Sequence, residues 1–92
     1  MERTSVRLRI EGIVQGVYFR WHTREKALAL GVKGWVRNLA DGSVEVMAEG
    51  ESEPLQKLVE WCHHGPPEAI VRHVEARWED WAGRFQSFEI RH

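Results

Sequence analysis

Apolar and charged residues alternate strictly from Val6 to Glu11, with Val6, Leu8 and Ile10 on one face and Arg7, Arg9 and Glu11 on the other. A period of two predicts a strand with one face buried. The alternation stops at a glycine-containing stretch, GIVQGVYFR, over residues 12–20. Phe19, Thr23, Ala27 and Leu30 then recur at helical spacing, which predicts a helix from Arg20 to Leu30 that Gly31 caps. A second extended run, VKGWVRNL, meets Asp41-Gly42 and then SVEVMAE, in which Val44, Val46 and Ala48 alternate with Ser43, Glu45 and Met47. Asp-Gly between two extended runs marks a tight hairpin.

A second helix is expected next, with Ser52 near its cap and Pro54 in its first turn. Leu55, Leu58, Val59 and Cys62 form its apolar stripe. It ends by Gly65, because Pro66-Pro67 cannot continue a helix. The remaining chain reads as strands over Ile70 to Trp78 and Phe85 to Arg91, with a turn near Ala82-Gly83. Strand, helix, strand, strand, helix, strand predicts an α+β class: a ferredoxin-like βαββαβ sandwich, an antiparallel sheet with two helices on one face.

Composition narrows the picture. Ninety-two residues, 42% hydrophobic and 29% charged, suit one domain over residues 1–92 with one core. The formal charge of −1, with both signs interleaved, offers no broad basic face for a nucleic-acid backbone. The same element order serves RNA-binding modules that stack bases on aromatic residues of the first and third strands, but VRLRIE and SVEVMAE carry none. With Cys62 as the lone cysteine no intramolecular disulfide forms, and a reducing compartment is expected. No apolar run approaches the roughly 18–20 residues of a membrane span, and MERTSVRLRI lacks a signal-peptide core. A cytoplasmic monomer without membrane or nucleic-acid partners is the expectation.

The junction at residues 12–20 holds the candidate chemistry. Unpaired backbone N–H groups and the positive end of a helix dipole point outward where a loop enters a helix, and both attract anions. Gly16 lets the backbone approach an anion closely, and Arg20 adds a permanently charged planar fork. As a purely structural residue Arg20 is oddly placed, since it opposes the dipole that an anion would offset. The stretch lacks the Lys-Ser/Thr of a nucleotide-binding P-loop and contains no GxGxxG. Cys62 lies on an apolar stripe and reads as core, not as a nucleophile. Cys62, His63 and His64 are helix neighbours that splay about 100° apart and cannot converge on one metal ion. His22, His73 and His92 show no ligand spacing, and Trp35, Trp61, Trp78 and Trp81 read as residues of the core or its margin.

Three stretches together carry a family likeness: Gly12-Ile13-Val14-Gln15-Gly16-Val17-Tyr18-Phe19-Arg20; Gly34-Trp35-Val36-Arg37-Asn38 followed by Asp41-Gly42-Ser43-Val44-Glu45; and Gly65-Pro66-Pro67 leading to Val71 and Val74-Glu75. The chain resembles the acylphosphatase family from about Val6 to Ile90. The resemblance implies hydrolysis of a small-molecule acyl phosphate to a carboxylate and inorganic phosphate, without metal or cofactor. It implies that Arg20 holds the phosphate, that the loop Gln15, Gly16, Val17, Tyr18, Phe19 and Arg20 forms the cradle, and that Asn38 positions water. Ala40 departs from the turn residue that many relatives place there. An amide such as Asn38 orients water without taking up its proton, so the proton goes to a phosphate oxygen or to solvent. The alternative is a non-catalytic module of the same family that keeps the fold for anion binding or partner contact.

Overall fold

The computed structural model describes residues 2–92. The chain runs β1 (Arg3–Ile13), α1 (Phe19–Leu30), β2 (Lys33–Asn38), β3 (Val44–Glu51), α2 (Ser52–Cys62), β4 (Ile70–Asp80) and β5 (Phe88–Arg91). The five strands form one sheet in the order β4-β1-β3-β2-β5. The alternating set Val6, Leu8, Ile10, Val36, Val44, Val46 and Ala48 meets Phe19 and Ala27 of α1 and Leu55, Leu58, Val59 and Cys62 of α2 in one buried cluster. That is the expected ferredoxin-like sandwich, both helices contributing to the same core.

The punctuation behaves as its residue types dictate. Gly31 closes α1 in the left-handed conformation, φ 72°, its N–H directed at the carbonyls of Ala27 and Leu28. At the hairpin, the Leu39 N–H donates to the Ser43 carbonyl at 2.8 Å and the Gly42 N–H to the Leu39 carbonyl at 3.2 Å. Asp41 Oδ1 accepts from the Ser43 N–H at 2.9 Å, which ties the tip to itself. The helices begin at Phe19 and Ser52, and extended Glu51 occupies the cap position expected for Ser52.

The sheet departs from the antiparallel expectation at one edge. β1 pairs antiparallel with β3 and β4, and β2 antiparallel with β3, whereas β5 runs parallel to β2, Gly34 opposite Phe88 and Arg37 opposite Arg91. Thr4 opposite both Gly50 and Asp80 shows that β4 ends where β3 ends and β2 begins. The chain therefore crosses that end of the sheet and enters the far edge beside the start of β2, in the direction of β2. This crossing shortens β5, expected from Phe85, to Phe88–Arg91.

A buried charge holds the crossing in place. Glu49 on β3 is 2% exposed. Its carboxylate accepts hydrogen bonds from Ser5 Oγ at 2.9 Å, the Arg84 N–H at 2.9 Å and the Ala82 N–H at 3.2 Å. The face away from the helices carries Trp35, over which the guanidinium groups of Arg7, Arg37 and Arg91 lie 4.9–5.9 Å from the ring centre. Trp61 packs against Phe19 with ring centres 5.7 Å apart, whereas Trp21, Trp78 and Trp81 are half exposed. Trp78 lies on β4 at the sheet edge, and Trp81 follows β4 with the Arg3 guanidinium 5.2 Å from its ring centre.

Candidate active site

Residues 14–18 link β1 to α1, and their backbone is bent by two left-handed residues, Gly16 at φ 77° and Tyr18 at φ 62°. A Cβ at Gly16 would meet nothing within 4 Å, so glycine is favoured here by torsion and not by crowding. Tyr18 accepts the same torsion without that exemption, at a cost on the order of 1 kcal/mol. Its side chain is 75% exposed and recovers little of that by packing. The next residue, Phe19, is the anchor: it is 2% exposed, and a Cβ on Gly65 would stand 2.5 Å from its ring. Gly65, which precedes Pro66-Pro67, is thus needed to let the post-α2 turn close over the loop's end.

The bend leaves its donors free. α1 has no side-chain cap and no acidic residue in its first turn. Among the described residues, no N–H from Gly16 to Trp21 donates to a protein acceptor. These donors and the positive end of the helix dipole suit an anion. Arg20 adds its charge at the same helix end, with Nη1 3.3 Å from Nδ1 of His92.

Asn38 arrives from the other side, at the end of β2. Its Oδ1 is buried and has no hydrogen-bond partner. Gly16, Tyr18, Arg20, Asn38 and His92 line one cavity of about 400 Å³, whose remaining wall is apolar: Val14, Phe19, Trp21 and Ile90. Arg20 and Asn38, eighteen positions apart in sequence, therefore share a cavity. Of the expected cradle, Gln15 and Val17 do not line it. The Gln15 amide turns to the hairpin, donating to the carbonyls of Leu39 at 2.8 Å and Ser43 at 2.9 Å, and Val17 packs on the core. Among the described residues, no group of three His, Cys, Asp or Glu side chains is placed to share a metal ion.

Ile90 and His92 line the cavity without having been expected there from the sequence. Nothing local marks them; they reach the cavity because β5 runs parallel to β2 and so carries the chain towards Asn38. Trp21 and Val14 flank the expected loop residues, and each carried a signal of adjacency only.

The sequence matches the family described as Acylphosphatase over residues 6–90. The chain belongs to the acylphosphatase family. It is 51% identical over 90 residues to an acylphosphatase of Pelotomaculum thermopropionicum, covering 98% of each chain. Its fold superimposes on an acylphosphatase structure from Coxiella burnetii with a TM-score of 0.91 at 39% identity, covering 98% of this chain and 94% of that one. The acylphosphatase structure from Bacillus subtilis gives 0.93 at 32% identity, covering 97% and 99%. As an acylphosphatase, the chain hydrolyses the carboxyl–phosphate bond of small acyl phosphates and releases a carboxylate and inorganic phosphate. No helix among the described residues is long and apolar enough to cross a membrane.

Proposed function

We propose that the phosphoryl group of the substrate sits in the loop from Gln15 to Arg20, on the free backbone N–H groups of its cavity-lining residues Gly16, Tyr18, Phe19 and Arg20 and on the Arg20 guanidinium, while Asn38 holds the attacking water. The observation that carries this reading is the unpartnered Oδ1 of Asn38 on the wall of the cavity that Arg20 also lines. A buried acceptor without a donor costs about 1–3 kcal/mol. A water that donates to it recovers that energy and keeps a lone pair for phosphorus.

Charge and position supply most of the catalysis. The transferring phosphoryl group passes through a loose transition state, and a carboxylate leaves readily, so the site must mainly align the reactants and stabilise charge on the equatorial oxygens. Free amides and a guanidinium already fixed in place do this without reorganising. Asn38 accepts one hydrogen bond from the water but cannot take its proton, which passes to a phosphate oxygen or to solvent. The apolar wall of Val14, Trp21 and Ile90 is left for the acyl group. Phosphate esters, whose leaving groups are poorer, turn over slowly. No metal or cofactor has a part in this scheme. A cytoplasmic monomer built as one domain over residues 1–92 completes the proposal, supported by a single core cluster and the unpaired, buried Cys62.

The test is hydrolysis of an aromatic acyl phosphate by folded wild type, Arg20→Gln and Asn38→Ala, with inorganic phosphate as inhibitor. Arg20→Gln is expected to lose most turnover and to weaken phosphate inhibition, whereas Asn38→Ala lowers kcat and keeps phosphate inhibition. Wild-type kcat in Asn38→Ala overturns the water role. An inactive but folded wild type points to the anion-binding module.

A further inference from the structure

We infer that the side chain of Gln15 is a positioning residue that fixes the phosphate cradle against the strand end bearing Asn38. This rests on the proposed roles of the cradle and of Asn38. Both hydrogens of the Gln15 amide are used on the hairpin, at 2.8 Å to the Leu39 carbonyl and 2.9 Å to the Ser43 carbonyl. Leu39 directly follows Asn38, and Gln15 directly precedes Gly16, the first bent residue of the cradle. Among the described residues, no other hydrogen bond joins residues 14–18 to residues 38–43.

The hairpin closes without this help. The Ser43 carbonyl already accepts from the Leu39 N–H at 2.8 Å and the Leu39 carbonyl from the Gly42 N–H at 3.2 Å, so removing the Gln15 amide strands neither acceptor. What the two bonds add is registry between segments that are more than twenty positions apart. An in-line displacement requires that registry, because the water on Asn38 must face the phosphorus held by the cradle. A misplacement of about 1 Å costs on the order of 100-fold in rate. A glutamine there does not touch the reacting atoms; it sets the distance between the groups that do.

Gln15→Met keeps the length and removes both donors. In the folded protein it is expected to lower kcat by about 10- to 100-fold while the inhibition constant of inorganic phosphate, which reads the cradle alone, moves less than about threefold. Added to Asn38→Ala, Gln15→Met is expected to cost less than about threefold further, since no anchored water remains to misalign. Gln15→Asn, which keeps the amide but draws it back by one methylene, gives an intermediate kcat and serves as the second variant if Gln15→Met fails to fold. A merely structural role would lower Tm and leave kcat and the double-variant factors multiplicative. Wild-type kcat in the Gln15 variants, or full multiplicativity with Asn38→Ala, overturns the inference. If Asn38→Ala itself keeps wild-type kcat, the assignment of the site fails first; if Asn38→Ala is crippled and Gln15→Met is not, only the positioning role fails.

Discussion

Replacing Glu49 with alanine removes the carboxylate that takes three hydrogen bonds at the crossing between β4 and β5. Ser5, whose hydroxyl donates to Glu49, is fully buried. Left unsatisfied, that hydroxyl costs about 1–3 kcal/mol. The N–H groups of Ala82 and Arg84 lose hydrogen bonds to a carboxylate, but both residues are exposed, so water replaces much of the loss. We therefore expect a decrease of about 3 kcal/mol, a large part of the roughly 5–15 kcal/mol typical of a domain. Urea unfolding followed by tryptophan fluorescence measures it. The pH dependence supplies an independent sign. Burial acts to raise the Glu49 pKa, but the hydrogen bonds from Ser5, Arg84 and Ala82 and the Arg84 charge outweigh it, and the carboxyl lies below its ordinary value. The folded protein then binds fewer protons than the unfolded chain, so this stabilisation is present above the unfolded carboxyl range and is lost as pH falls through the folded value. The gap between wild type and Glu49→Gln should shrink on acidification over that window. A loss below about 1 kcal/mol in Glu49→Ala, or a gap that ignores pH, would show that Glu49 does not hold the crossing.

Packing, burial and the proposed chemistry set three further outcomes. At Gly34, φ 145°, a Cβ would stand 1.8 Å from the Met47 carbonyl oxygen, so Gly34→Ala should break the β2–β3 pairing and cost more than about 4 kcal/mol; a wild-type Tm would contradict this. Burial pushes the Cys62 thiol up to about 12, so a thiol reagent should label the chain only in urea, and rapid labelling of folded protein would show that helix α2 exposes it. With no metal in the proposed step, turnover should survive EDTA; a loss in EDTA that a divalent ion restores would defeat the metal-free scheme.

Much was decided by the sequence alone. The alternation from Val6 to Glu11, the stripe Leu55, Leu58, Val59, Cys62, the Gly31 cap and the Asp41-Gly42 hairpin depend on neighbours within a few positions, and each appears in the structure within a residue or two of where those neighbours put it. The uncapped helix start and the nearby Arg20, on which the proposed anion site rests, were legible for the same reason, since both are local facts. The tertiary structure decided what joins distant segments. That β5 lies parallel to β2, bringing His92 to Arg20 across 72 positions, follows from where β4 ends and from the buried Glu49 that carries the chain across. That the Gln15 amide faces the hairpin and leaves the cavity, and that Asn38 Oδ1 is buried without a donor, depends on how two loops meet once the core has closed. Periodicity reports which face of an element is apolar; only packing of those faces against one another sets which edge, which carbonyl and which side chain end up side by side.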